Sequence, residues 1–234
     1  MTHSLLLLAG SLLLAGTAQA QATFRVGPRA GLNVSGAHFP TRVATSYEPP
    51  SYTSRPGFEA GLTSTVQFGH FAVQPSLLFS QKGYRSSGYR LSFDMLSFYE
   101  EDVRLNYLTL PLNLAFTLGR DGQGLQVFAG PYASLLVGGN FTRQVSSFAS
   151  ETGKVKAAHL VSDSDKWYAQ RFDGGLQAGA GYRLQGFQLQ ATYSLGLRNL
   201  AVPYQGYDGR VSATPAYYNR AFQVALSYLV GFSS

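Results

Sequence analysis

Residues 168–200 alternate between apolar and polar positions along two runs, and Gln185-Gly186 joins these runs. The positions of apolar parity are Phe172, Gly174, Leu176, Ala178, Ala180, Tyr182 and Leu184 in the first run, and Phe187, Leu189, Ala191, Tyr193, Leu195 and Leu197 in the second. A period of two residues predicts β-strands, and a two-residue connection that ends in Gly predicts a hairpin. Each run exceeds the usual strand length of about 5–6 residues and matches the roughly 9–11 residues with which a tilted strand crosses a bilayer.

Six further stretches repeat the alternation, which predicts eight strands. These stretches are residues 24–39, 57–68, 71–83, 104–118, 125–138 and 219–232. Short turns alternate with four long polar stretches, at residues 40–56, 84–103, 139–167 and 201–218. An even strand count with short turns at one end and long loops at the other is typical of bacterial outer-membrane barrels. We therefore predict an all-β fold, an eight-stranded antiparallel up-and-down transmembrane β-barrel with short periplasmic turns and four long extracellular loops.

Aromatic residues fall at the predicted strand ends, where the interfaces of a membrane would lie. The periplasmic set is Phe24, Phe68, Phe71, Phe116, Tyr182, Phe187 and Phe232, and the outer set is Phe58, Phe79, Tyr84, Trp167 and Phe172. A soluble β-sandwich is the alternative, because its strands also alternate. The long strands, the regular loop asymmetry and the aromatic ends favour the barrel.

The composition favours lipid as the neighbour of this sheet. Charged residues make up 13% of the chain, against about 25% in a typical soluble domain, while Gly, Tyr and Phe are abundant. The formal net charge of +6 comes from scattered Lys and Arg residues without a basic run. A nucleic-acid partner is therefore not expected, and outer-membrane lipid is.

The N-terminal segment predicts export. Residues 5–16 form a short apolar run, and Ala18-Gln19-Ala20 follows as a cleavage site of small residues. Since the run is too short to span a bilayer, residues 1–20 are predicted to be a secretory signal peptide that is cleaved before Gln21. Residues 21–234 then form one outer-membrane β-barrel domain in a Gram-negative cell envelope. The absence of Cys excludes disulfides and thiolate metal sites.

Five segments carry a family resemblance: GPRAGLNVSG, LNYLTLPLNLAF, VFAGPYASLLVGG, FDGGLQAGAGYRL and YSLGLRNL. With them, the chain resembles the PorT-like outer-membrane β-barrel proteins of Bacteroidetes. The resemblance implies a barrel fold and an outer-membrane location, and it implies no catalytic residues. Phe232 is similar to the terminal aromatic residue that the outer-membrane assembly machinery reads in such proteins. The family's named member is linked to a protein-secretion system, which makes a secretion accessory one expectation for this chain.

A barrel of eight strands has an interior just wide enough for its own side chains, so a filled lumen is expected. The inward parity carries charged residues, which need partners in a low-dielectric interior. The two-residue turn Gln185-Gly186 places Asp173 opposite Arg198, and the two-residue turn predicted at Gly69-His70 places Glu59 opposite Ser80 and diagonal to Lys82. We predict a structural charge belt, with a ligand or ion site as the alternative, formed by Glu59, Lys82, Arg171, Asp173 and Arg198.

No catalytic, cofactor or metal site is expected, and the chain is predicted not to be an enzyme. A lipid hydrolase of the barrel type would need a His beside an inward Ser and a carboxylate. His38, His70 and His159 fall at a strand end, in a turn and in a loop. No group of His and carboxylates has metal-ligand spacing. The glycines of GGLQAGAG more simply allow strand curvature and close packing.

The expected function is a structural or surface-interaction role in the outer membrane, through the long loops. Their partners would be surface proteins, glycans or neighbouring barrels. An accessory role in protein secretion is the second expectation. A narrow, porin-like solute channel is the third, although the filled lumen opposes it.

Overall fold

The computed structural model describes residues 22–40, 50–92, 95–119, 122–145, 149–161, 167–206, 208–212 and 215–232. The predicted signal peptide and its cleavage site lie outside the described residues. The strands are β1 Thr23–His38, β2 Ser51–Phe68, β3 Phe71–Ser92, β4 Met95–Thr117, β5 Gly124–Val145, β6 Ala149–Ala157, β7 Trp167–Ala169, β8 Phe172–Leu184, β9 Phe187–Gly196, β10 Tyr204–Gln205, β11 Val211–Ser212, β12 Tyr218–Tyr228 and β13 Val230–Phe232. Among the described residues, no helix has the length and hydropathy that crossing a membrane requires.

Eight strands form a closed antiparallel ring, in the order β1, β2, β3, β4, β5, β8, β9 and β12. Pairing of β12 with β1 closes the ring, and β13 continues beside β1. Each strand of the ring pairs with the next one along the chain, as in an up-and-down barrel. The predicted eight-stranded ring is confirmed. Closure leaves no open sheet edge within the ring.

The polarity of the ring is the opposite of that of a soluble protein, because polar side chains point inward and apolar side chains point outward. In β9, Gln188 and Gln190 are 1% and 2% exposed, whereas Phe187 and Leu189 are 53% and 52% exposed. Outward Leu, Phe and Val side chains recur around the ring, including Leu32, Leu62, Leu110, Leu114, Leu176 and Phe222. An apolar surface this continuous is stable only against lipid, which excludes the soluble β-sandwich.

Both predicted two-residue hairpins are confirmed. Leu184 pairs with Phe187 across Gln185-Gly186, and both turn residues have positive φ, 48° and 90°. Positive φ at both positions defines a type I′ turn. At the other hairpin Gly69 has φ 57° at the first turn position, as a type II′ turn requires.

Pro28 marks a local irregularity in β1. The pairing of β1 with its neighbours β12 and β13 is interrupted between Arg29 and Val26, since Pro28 has no N–H to donate to a ladder. On the opposite side the N–H of Leu229 donates instead to the carbonyl oxygen of Gly186, at 2.7 Å. Pairing of β1 with β2 continues through Pro28 without a register shift.

Gly179 shows why the Gly-rich strand β8 needs small residues. A Cβ at this position would lie 2.6 Å from the Phe128 ring and 2.1 Å from the carbonyl oxygen of Ala191. The missing side chain leaves room in the lumen for the Phe128 ring, which packs with Ala72 and Ala115. The glycine therefore supports close packing.

The predicted loop boundaries need correction. Residues 84–103 were predicted as a loop, but β3 and β4 continue through them and pair from Tyr84 and Val103 up to Ser92 and Met95. The predicted loop 139–167 likewise contains the end of β5, all of β6 and the first residue of β7, and the predicted loop 201–218 contains β10 and β11. Above the membrane the outer face of a strand meets water, so the strand continues without the outward apolar parity that reveals its membrane-spanning part.

Candidate functional site

The lumen is filled in layers, and the layer near the short turns centres on Arg183. This guanidinium is 1% exposed. Its Nε donates to the Oε1 of Gln188 at 2.9 Å, and its terminal nitrogens donate to the Oγ1 of Thr65 at 3.1 Å and the carbonyl oxygen of Gly122 at 3.3 Å. These bonds satisfy a buried charge that would otherwise be costly.

The middle layer is a hydrogen-bonded chain that crosses the lumen. Arg29 Nε lies 3.0 Å from Glu59 Oε1, with exposures of 7% and 1%. Arg29 also donates to the Oε1 of Gln190. Gln190 donates to Gln74 at 3.0 Å, and Gln74 donates to Gln126 at 2.9 Å. Side chains from five strands of the ring thus interlock at this level.

The upper layer is built on a second buried ion pair. Lys82 Nζ lies 3.7 Å from Asp173 Oδ2. The same oxygen accepts hydrogen bonds from Asn219 Nδ2 at 2.9 Å and from the Tyr132 hydroxyl at 3.4 Å. The ammonium also lies 4.6 Å from the centre of the Tyr132 ring. Together these contacts place a carboxylate, an ammonium and aromatic rings in one buried cluster.

Little space remains between the middle and upper layers. The cavity there has a volume of about 10 Å³ and is lined by Arg29, Glu59 and Lys82, among others. A single water needs about 10–15 Å³. Side chains therefore fill this part of the lumen.

Three members of the predicted charge belt lie in these layers. Glu59 stands opposite Ser80, as predicted. Its charge partner is Arg29, and the partner of Lys82 is Asp173. Arg29 lies on the inward parity of β1, but the sequence does not predict its pairing with Glu59. That pairing depends on the register between β1 and β2, and a long connection joins these two strands.

The predicted pairing of Asp173 with Arg198 needs correction. The ladder between β8 and β9 ends at Gly175 and Gly196, so it does not reach these two residues. Arg198 is exposed, and its guanidinium lies 5.9 Å from the centre of the Phe172 ring. Asp173 is instead paired with Lys82 from across the lumen. Arg171, the fifth member of the predicted belt, is also exposed.

An apolar roof closes the lumen above the upper layer. Its buried members are Tyr84, Val103, Leu105, Tyr107, Leu136, Phe141, Val155, Ala169, Leu200, Ala201 and Tyr217. Lys82 Nζ lies 5.6 Å from the centre of the Tyr107 ring, so the roof rests directly on the ion pair. Several of these residues fall in predicted loops, where no periodicity marked them as buried.

A pocket of about 260 Å³ opens beside the roof, at the mouth of the barrel opposite the short turns. Aromatic side chains form most of its wall, and five of them, Phe39, Tyr52, Tyr84, Trp167 and Tyr217, form one cluster of ring contacts. Tyr84 is their centre, with ring centroids 5.9 Å from Tyr217, 6.0 Å from Phe39 and 6.1 Å from Trp167. Burial, then the neighbouring Tyr217 and Glu101, raise the pKa of Tyr84 well above its usual value, so its hydroxyl stays protonated.

Glu101 supplies the carboxylate of the pocket. Its Oε1 accepts from Arg143 Nε at 2.6 Å, and its Oε2 accepts from the Ser86 hydroxyl at 3.4 Å. The neighbouring Asp102 pairs with Arg55 and with Arg85, the latter at 3.2 Å. These bonds join β2, β3, β4 and β5 above the membrane and fix the pocket wall.

Burial and the neighbouring arginines shift the pKa of Asp102 in opposite directions. Partial burial pushes the pKa of this carboxyl upward, but the hydrogen bonds and charges of Arg55 and Arg85 hold it below its usual value. Asp102 is therefore charged at neutral pH, and it links both arginines.

A family model described as "Outer membrane protein beta-barrel domain" matches residues 18–202. The chain is similar to the structure of Ail, the attachment invasion locus protein of Yersinia pestis, in complex with the heparin analogue sucrose octasulfate. Identity is 13% over 88% of this chain and 99% of that one, with a TM-score of 0.43.

Two further solved structures have similar coverage. For Neisserial surface protein A the identity is 12% over 88% of this chain and 96% of that one, with a TM-score of 0.40. For the translocator domain of the autotransporter NalP from Neisseria meningitidis the identity is 16% over 97% and 96%, with a TM-score of 0.24. No curated protein sequence gives a significant match.

Proposed function

Because this chain belongs to the outer membrane protein beta-barrel domain family, we propose that this outer-membrane barrel acts through its extracellular face and that its lumen is a structural plug. One observation carries the proposal. The lumen between the ion pairs has about 10 Å³ of space, whereas the mouth has a pocket of about 260 Å³. The first volume holds about a single water, and the second is large enough for a small organic group.

The layered lumen opposes the alternative of a narrow solute channel. A solute would have to separate Arg29 from Glu59 and Lys82 from Asp173. Removing one partner of a buried ion pair typically costs about 3–5 kcal/mol. Conduction through both layers is therefore energetically unfavourable.

Conductance in planar bilayers tests the plugged lumen. We expect no sustained single-channel currents from the purified full chain, with a wide porin in the same bilayer as the positive control. Reproducible currents that scale with the amount of protein would overturn the proposal and support the channel.

An exposed aromatic pair above the membrane favours a surface-interaction role. Tyr89 and Phe98 lie on the extended β3–β4 hairpin, with ring centroids 5.5 Å apart. Both side chains are exposed, and exposed aromatic residues are frequent in protein interfaces. Cross-linking and purification from native membranes separate the two kinds of partner. Secretion components in the purified complex would support the accessory role, and surface proteins without them would support the surface-interaction role.

We also propose that the barrel is not an enzyme. His70 Nδ1 contacts the carbonyl oxygen of Thr117 at 2.8 Å, and His159 Nδ1 contacts Gln170 at 3.0 Å. Neither arrangement supplies the Ser and carboxylate of a hydrolase. An assay for release of fatty acids from outer-membrane lipid tests this, and turnover by the purified barrel would contradict it.

A further inference from the structure

We propose that the aromatic pocket at the mouth binds an organic cation of the trimethylammonium class, such as a choline group. This inference rests on the proposed extracellular function and gives it a ligand chemistry. The five contacting aromatic residues of the pocket are called the aromatic cage below: Phe39, Tyr52, Tyr84, Trp167 and Tyr217.

The rings of the cage pack against one another in different orientations and line one side of the pocket. Phe39 stacks on Tyr52 with an interplanar angle of 23°. Tyr84 meets Phe39 at 80° and Trp167 at 72°. Because the rings meet at steep angles, they expose faces as well as edges. The face of an aromatic ring attracts cations.

The charge at the pocket favours a cation over an anion. The described lining residues include Glu101 and no Lys or Arg. Arg143 partly neutralises this carboxylate from outside the lining. A sulfate or phosphate in the pocket would face ring faces and a carboxylate without a facing cation, which is unfavourable.

The wall also carries hydrogen-bonding groups. Trp167 Nε1 and the Tyr217 hydroxyl are buried without a hydrogen-bond partner among the described residues, whereas the Ser86 hydroxyl donates to Glu101 at 3.4 Å. A trimethylammonium head needs only ring faces and a carboxylate, and the hydroxyl of choline can accept a hydrogen bond from the free indole N–H.

The volume fits a small group. The pocket has about 260 Å³, which exceeds the roughly 150 Å³ of a cavity that binds benzene. It falls just below the roughly 300–1,000 Å³ of pockets for drug-sized ligands. A trimethylammonium head with a short stem matches this size.

Fluorescence of Trp167 provides a direct measurement, because this is the single Trp of the sequence. The purified full chain is held in a maltoside detergent, since phosphocholine detergents would present the same cation. Choline is titrated against its neutral tert-butyl analogue, which has the same shape without the charge. We expect saturable binding of choline and at least about tenfold weaker binding of the analogue, which corresponds to about 1.4 kcal/mol. Equal binding of both would overturn the cation assignment, and no choline binding to the folded barrel would overturn the site.

Matched variants locate the site. Tyr52 and Tyr89 are exposed to similar degrees, 40% and 47%, but only Tyr52 lines the pocket. Tyr52→Ala is expected to weaken choline binding at least fivefold, and Glu101→Gln to weaken it about threefold, while Tyr89→Ala leaves it unchanged. Heat-modifiable gel mobility verifies that each variant is folded. An equal loss in Tyr89→Ala would contradict the assignment.

Two sources of the cation are distinguished by competition. Binding to phosphatidylcholine vesicles that free choline displaces indicates a lipid head group as the ligand. Binding of free choline without vesicle capture indicates a small solute, and both results support the trimethylammonium site. The bilayer conductance measurement stays independent of these titrations. A barrel that conducts no current and does not bind choline would therefore refute the trimethylammonium site and leave the plugged lumen standing.

Discussion

The lumen and the mouth of this barrel are lined by the same strands, but their side chains have opposite chemistry. Along β4, Thr109, Asn113 and Thr117 point into the lumen and are buried. On the same parity nearer the mouth the buried residues are Val103, Leu105 and Tyr107. The outward parity is apolar beside the lumen, at Leu108 and Leu110, and becomes polar nearer the mouth, at Asn106 and Arg104.

The surrounding medium explains this inversion. Where lipid covers the outer face, the apolar residues must face outward, and the enclosed side chains can be polar if they are hydrogen-bonded. Where water covers the outer face, the enclosed side chains can be apolar, as in a soluble core. The inversion near Tyr107 thus marks the upper boundary of the membrane on β4.

The largest expected effect comes from breaking the middle lumen layer. Glu59→Ala leaves Arg29 buried without its carboxylate, so we expect a loss of about 3–5 kcal/mol in the free energy of unfolding. Urea unfolding in detergent micelles, with reversible refolding, measures it. Arg29→Met combined with Glu59→Leu removes both charges and is expected to restore most of the loss. A double variant as unstable as Glu59→Ala would show that the charges themselves hold the layer.

Two variants of the upper layer test whether Asp173 pairs with Lys82, as the structure shows, or with Arg198, as the sequence predicts. Asp173→Asn is expected to cost about 3 kcal/mol, because Lys82 then lacks an anionic partner. Arg198→Ala is expected to change stability by less than about 0.5 kcal/mol, since this side chain is exposed. Equal losses of unfolding free energy in the two variants, measured by the same urea unfolding, would support the predicted Asp173–Arg198 pair instead.

The apolar roof should respond to cavities as a soluble core does. Leu105→Ala removes a fully buried side chain, and we expect a loss of about 2–3 kcal/mol. The damage should stay at the mouth, so proteinase K should cut the extended β3–β4 region faster while the ring keeps its heat-modifiable mobility. Leu110→Ala, on the exposed outer face of β4, is the control and should leave proteolysis unchanged. A variant that unfolds the whole ring would contradict the separation of roof and lumen.

The sequence predicts the ring and only part of the site, for a physical reason. Alternation is strong where one face meets lipid, so the hairpin at Gln185-Gly186 and the pair of Glu59 and Ser80 follow from the residues alone. Contacts across the lumen depend on registers that long connections separate. Lys82 and Asp173, on strands that are not neighbours in the ring, could not be paired from sequence. Phe39 ends the first predicted strand, but the other four residues of the aromatic cage lie in stretches whose polarity predicts loops, although aromatic residues favour strands.

The smallest expected effect is a pH dependence of stability at the mouth. The pKa of Asp102 is lowered in the folded barrel, so its stabilising contribution is present above its unfolded pKa and is lost as pH falls through the folded value. Because the carboxylate is partly exposed, the loss should be below about 1 kcal/mol. Hydrogen exchange of the amides around Arg55, Arg85 and Asp102 should become faster from pH 6 to pH 3, after correction for intrinsic rates. In Asp102→Asn this pH dependence should disappear, and its persistence would assign the effect to another carboxyl group.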